Sequence, residues 1–124
     1  MTSDQLFDLA VQYSDMARAA ETKRLTLPSD SDEAKSLGHA RLSLTNASSQ
    51  LLAPALLAAL NELAPHYDAM LSVVRDLNHE AAQEQKVAKI LQFVNSALAI
   101  AAAVQLGNAG GVLTALGEAR DLLK

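Results

Sequence analysis

"FVNSALAIAAAVQLGNAGG", residues 93–111, contains no charged side chain, and the uncharged run around it extends from Ile90 to Gly117. Three readings compete for it: a membrane-crossing helix, a surface that binds a partner, or the inner helix of a bundle. A spanning helix needs about 20 predominantly apolar residues. Here Gln92, Asn95, Ser96 and Gln105 interrupt the run, which then ends in a polar, glycine-rich turn. Alanine dominates what remains, no basic cluster flanks it to set an orientation, and leucine or isoleucine would favour hydrocarbon far more. No membrane span is therefore expected. A helix apolar on nearly every side belongs at the centre of a bundle. Ala97, Ala99, Ala101, Ala102 and Ala103 would let neighbouring helices approach closely. The alternative is an exposed apolar face of several hundred Å², the usual mark of a partner surface.

Composition agrees with a helical fold. Half of the 124 residues are apolar but only Phe7, Phe93, Tyr13 and Tyr67 are aromatic, so alanine and leucine must fill the core. That suits closely packed helices better than a sheet. The length supports one core without disulfides or metal, so residues 1–124 are expected to form a single helical-bundle domain. Cysteine is absent, which removes disulfides, thiolate metal sites and a cysteine nucleophile. Ten basic against fourteen acidic residues give a net charge of −4, and Lys23-Arg24 is the one adjacent basic pair. Nucleic-acid binding needs a positive stripe and stacking aromatics, which this pattern lacks. The opening "MTSDQLFDLA" carries no basic n-region, and the expected location is cytoplasmic, as a soluble protein.

Periodicity predicts the helices. Thr2 and Gln5 match a capping box, after which Leu6, Leu9, Ala10, Tyr13, Met16, Ala17 and Ala20 form one apolar stripe through about Leu25. The turn "TLPSDSDE" (26–33) offers several N-caps before a second helix from Glu33 with Leu37, Ala40, Arg41, Leu44, Ala47 and Leu51. Gly38 weakens that helix by roughly 1 kcal/mol relative to alanine. Pro54 and Pro65 bracket "ALLAALNEL", read as a short buried helix or a kinked continuation.

From His66 to Leu106 no Gly or Pro appears. One helix of that length would run about 60 Å, against a radius of gyration near 14 Å for a compact chain of this size. A break within "NHEAAQEQK" (78–86) is therefore expected, although no residue there is a helix breaker. It separates the stripe Tyr67, Met70, Leu71, Val74, Leu77 and Ala81 from the stripe Val87, Ile90, Leu91, Val94, Leu98 and Ala101. "GNAGG" (107–111) then ends that helix, with Gly107 or Asn108 suited to a left-handed cap. A last helix from about Val112 to Leu123 packs Leu113, Leu116, Ala119, Leu122 and Leu123. The expected fold is all-α, a compact antiparallel bundle of four to six helices.

Catalytic chemistry is scarce. No serine sits in a G-x-S-x-G elbow, and the glycines at 107–111 lack the Lys and Ser/Thr of a phosphate-binding loop. No cofactor motif is present. Asp76 and His79 have the carboxylate-x-x-His spacing of a metal-binding helix, and Glu80 and Glu84 form a second facing pair. Charged residues at helical spacing are ordinarily solvated surface, so the expectation is no metal, with these four as the one set to examine. Asp30, Asp32 and Glu33 read as an acidic first turn that complements the helix dipole.

The function expected from these features is non-enzymatic: a module that binds another, basic, protein through a helical face. A bacterial toxin-neutralising (immunity) or effector-escort protein has this character. Asp30, Asp32, Glu33, Asp76, Glu80 and Glu84 are the candidate contacts. Two alternatives stand beside it: a self-assembling homodimer using the helix over 90–106, and a metal- or ligand-binding bundle.

Overall fold

The computed structural model describes residues 1–53 and 61–124. Among these are five α-helices, a single 3-10 helix and no strand: α1 (Ser3–Arg24), α2 (Asp32–Leu51), the 3-10 helix Asn61–His66, α3 (Tyr67–Gln83), α4 (Val87–Gln105) and α5 (Ala109–Leu123). The all-α fold expected from composition is the observed one. Pro54 and most of "ALLAALNEL" lie outside the described residues; Leu63, within the 3-10 helix, is fully buried.

Local chemistry sets the helix ends. The Thr2 hydroxyl accepts from the Gln5 amide (3.1 Å) while the Gln5 side chain accepts from the Thr2 amide (2.9 Å), so the capping box forms in both directions. Ser31 caps α2 by accepting from the Ala34 amide (3.1 Å), which places Asp32 and Glu33 in the first turn. The expected break falls after Gln83. Glu84 turns extended (φ −73°, ψ 137°), and its carboxylate accepts from the Gln85 and Lys86 amides at 3.0 and 3.1 Å. A residue with good helix propensity thus ends the helix through its own side chain.

Gly107 (φ 64°) takes the left-handed position after α4. Its amide reaches the Val104 carbonyl (3.0 Å) and the Asn108 amide reaches that of Ala103 (3.1 Å), the paired bonds of a Schellman motif. Asn108 is the N-cap of α5, accepting from the Gly111 amide (3.0 Å), so the helix starts at Ala109 and not near Val112. A Cβ added at Gly111 would stand 3.4 Å from that of Ala103, so glycine here permits the close seating of α5 on α4.

The helices pair as two antiparallel hairpins, α1/α2 and α3/α4. Ser48 donates to the Ala10 carbonyl (2.8 Å) and Arg41 meets Glu21, which fixes the antiparallel register of the first. The hairpins lie side by side in the ring order α1, α2, α4, α3, and α5 covers the α3/α4 pair. Across that join α1 and α3 run the same way: Asn78 donates to Gln12 (3.3 Å), and Thr22 and Lys23 share a groove with Ala81 and Ala82.

The core follows the α1 stripe residue for residue. Elsewhere the departures are local. Arg41 leaves the predicted stripe of α2 for the surface, where Glu21 holds it, and Ala34 is buried. Leu71, Leu91 and Leu98 are half-buried, whereas Val73, Phe93, Ala97 and Ile100 go inside. On α5, Leu113 is 52% exposed while Val112 and Ala115 are buried. Helix α4 is long and apolar enough, by length and composition, to cross a membrane (mean hydropathy 1.7), and half of that window is buried inside the bundle. It is not buried all round, because Ala88, Gln92, Asn95, Ala99, Ala102 and Leu106 keep one narrow side exposed.

Tyr13 is fully buried, and its hydroxyl donates to the Ala97 carbonyl at 2.5 Å, joining α1 to α4 across the bundle. Burial pushes the Tyr13 phenol far above its ordinary value. Removing the hydroxyl in Tyr13→Phe should lower unfolding free energy by about 1 kcal/mol, since the helix still occupies the Ala97 carbonyl. Urea unfolding of the two proteins measures it. The glycines should respond with opposite signs. Gly107→Ala forces a side chain into the left-handed region and should cost about 1–2 kcal/mol. Gly38→Ala meets only the flexible Arg24 stem, at 3.7 Å, and is expected to stabilise. Its gain should be about 0.5–1 kcal/mol in the same assay.

Candidate functional site

Parallel packing of α1 and α3 leaves an open groove between them. Gln12, Asp15, Arg75, Asp76, Asn78 and His79 wall its middle, a space of about 590 Å³. Ala19 and Ala82 continue into a second space of about 400 Å³ beside Thr22, Lys23, Thr26, Glu84 and Gln85. Both signs of charge occur along it. Near its start the Tyr67 phenol is raised, first by burial and then by the neighbouring Asp8 carboxylate. Among the described residues no polar or charged side chain is fully buried apart from the Tyr13 phenol.

The sequence candidates are partly gathered. Asp30, Asp32 and Glu33 are exposed at the start of α2, next to the end of α1. Because α3 runs parallel to α1, its last turns reach the same end of the bundle. Glu80, exposed there, and Glu84 therefore share an end of the bundle with the acidic residues of the 26–33 turn, some 50 residues away in the chain, and with Lys23 and Lys86. Asp76 does not join them; it sits mid-helix, between the α1/α3 groove and a smaller one shared with Arg120 and Lys124 on α5. Glu84 is half-buried and its carboxylate already serves the linker amides.

The metal set is not assembled. Asp76 and His79 line the α1/α3 groove, Glu80 is exposed, and Glu84 lies past the helix end. Among the described residues no three His, Asp or Glu side chains come together as a metal ion requires. One helix supplies the spacing, and the carboxylate that the facing α1 adds to the same groove, Asp15, is paired with Arg18 at 3.4 Å.

Sequence reading missed a second cluster, on the α1/α2 hairpin. Glu21 accepts a forked pair of hydrogen bonds from Arg24 and also meets Arg41 Nε (3.3 Å). Arg18, paired with Asp15 at 3.4 Å and 79% exposed, stands on the same side. Together with Ser14, Ala17, Glu21 and Thr45 the two arginines Arg18 and Arg41 line a groove of about 250 Å³. Arg18 falls outside the α1 stripe and Arg41 within the α2 one, so periodicity alone gives no hint that they meet. Thr45 bonds back to its own helix at the Arg41 carbonyl, whereas Ser48 bonds across to α1.

Comparison of the chain with protein-family models, with curated proteins and with solved structures finds no match.

The hydrogen bond from Arg24, with the Arg24 and Arg41 charges, holds the Glu21 carboxyl below its ordinary value. A depressed carboxyl pKa stabilises the fold above the unfolded-state value and loses that contribution as pH falls through the folded one. The stability advantage of the native chain over Glu21→Gln should accordingly be constant near neutrality and disappear as pH drops below about 4. Unfolding midpoints measured for both across that range would show it; a gap unchanged down to acid pH would refute the assignment.

Proposed function

We propose that the chain is a non-enzymatic protein-binding module that covers a basic site on another protein with the acidic end of its bundle. A toxin-neutralising (immunity) or effector-escort protein works in this way. The observation that carries the reading is that Asp30, Asp32, Glu33 and Glu80, from segments remote in sequence, are all exposed towards the same end of the bundle. Exposed carboxylates held on helix ends keep a fixed spacing, and they steer and orient a basic partner more than they add raw affinity. Asp76 and Glu84 are peripheral to this surface. Half-burial of α4 supports its reading as an inner helix without a membrane span, and the acidic balance supports a protein partner rather than a nucleic acid.

Native mass spectrometry of protein gently purified from its host tests the reading first: a stoichiometric basic second chain is the expected result. With that partner in hand, the triple reversal Asp30→Lys, Asp32→Lys and Glu33→Lys should weaken binding on the order of tenfold and reduce its salt sensitivity. Unchanged affinity and salt slope would overturn the acidic-end assignment.

A homodimer is the second reading, favoured by one observation: Leu106, 80% exposed, adjoins the uncharged outer side of α4. Mass that rises with protein concentration, without a second chain, would select it.

A further inference from the structure

Along the α1/α2 hairpin, away from its acidic turn, arginines wall an open groove. Glu21 is satisfied by two arginines, so its charge is neutralised within the cluster. Arg41 uses Nε for that contact, and no other ion pair engages its terminal nitrogens among the described residues. Among the described residues Arg18 has only the 3.4 Å contact with Asp15, at an exposure where such a pair contributes little. Two guanidiniums from different helices therefore face one groove, floored by Ala17 and flanked by the Ser14 and Thr45 side chains. The same hairpin exposes Phe7 (56%), Leu42 (53%) and Leu52 (49%). Leu42 directly follows Arg41 on the outward side of α2, and Leu52 meets the first turns of α1.

We propose that this hairpin face docks an acidic, amphipathic helical segment of a partner protein, whose carboxylate enters the groove between Arg18 and Arg41 while its apolar side covers Leu42 and Leu52. Charge complementarity selects this occupant. In a chain of net charge −4, these arginines offer free donors on two antiparallel helices, and guanidinium groups match carboxylates in a planar, forked geometry. Apolar side chains beside the donors exclude water from the contact and give an amphipathic helix its grip. The inference does not rest on the acidic-end reading, which concerns other residues and a partner of opposite charge.

The test uses the full chain and a fluorescein-labelled amphipathic peptide of about four helical turns, leucines on one face and glutamates beside them. The same peptide with every glutamate replaced by lysine is the control. Fluorescence anisotropy gives affinity and backbone amide NMR shifts give location. The expected result is binding of the glutamate peptide alone, weakened by salt, with shifts concentrated at Arg18, Arg41, Leu42 and Thr45. Arg18→Glu should weaken it by about fivefold or more. Arg18 anchors no other helix, so its variant should fold normally; Leu42→Ser is a second variant, expected to weaken binding while keeping the charge pattern. Equal binding of both peptides, shifts confined to the α1/α3 groove, or absence of binding by the glutamate peptide would each overturn the proposal. So would self-association of the chain abolished by Arg18→Glu, which would make a second copy the occupant.

Discussion

A tyrosine that goes fully into an alanine- and leucine-packed core must find an acceptor there, and everything around α4 is arranged to supply one. Tyr13 reaches the Ala97 carbonyl, which already belongs to the α4 hydrogen-bond ladder and accepts the phenol as a second donor. That approach needs room at the helix surface. Small residues at Ala97 and Ala101 provide it, and both are buried. The alanine run of α4 is thus a docking surface inside the bundle. Its lack of charge follows from its contacts with α2, α3 and α5 together, which leave only a narrow side for solvent.

The same constraint explains the surfaces. With α4 inside, charged residues lie mainly on the other helices, and their grouping depends on how the hairpins are set. Antiparallel pairing within α1/α2 brings Arg41 beside Glu21 and Arg18. Parallel alignment of α1 with α3 carries Glu80 to the end occupied by Asp30, Asp32 and Glu33. Exposed carboxylates from two remote segments at one end, and one arginine groove, result from a chain whose charges look evenly scattered. Neither surface contains a deeply buried polar group, so both suit recognition of another macromolecule, where rim charges steer and apolar side chains hold.

Helix identity was readable because it rests on local rules. The capping box at Thr2 and Gln5, the Ser31 cap and the left-handed Gly107 all follow from side chains that satisfy nearby backbone groups. The α1 stripe was complete because that helix buries one clean face. Reading failed where two neighbours share a helix. Leu113 and Val112 differ by one position, and only the direction of α4 and α3 from α5 decides which of them is covered. Asn108 was read as a possible end and proved to be a beginning, since its amide side chain captures Gly111 and lets two glycines enter the helix.

The sequence by itself determined that this chain is all-α and where most of its helices start and stop, with the start of the last one misplaced by three residues. These follow from periodicity, capping and the cost of stranding a long helix beyond a compact core. Tertiary structure alone decided the company each charge keeps. Asp76, His79, Glu80 and Glu84 lie close in sequence yet do not assemble, because one helix strings the first three along an open side and Glu84 falls beyond its end. Arg18 and Arg41, twenty-odd residues apart, do converge, because the α1/α2 hairpin folds one helix back along the other. Local propensity acts over one or two turns, whereas a binding surface is made by the register between helices, which no short stretch of sequence specifies.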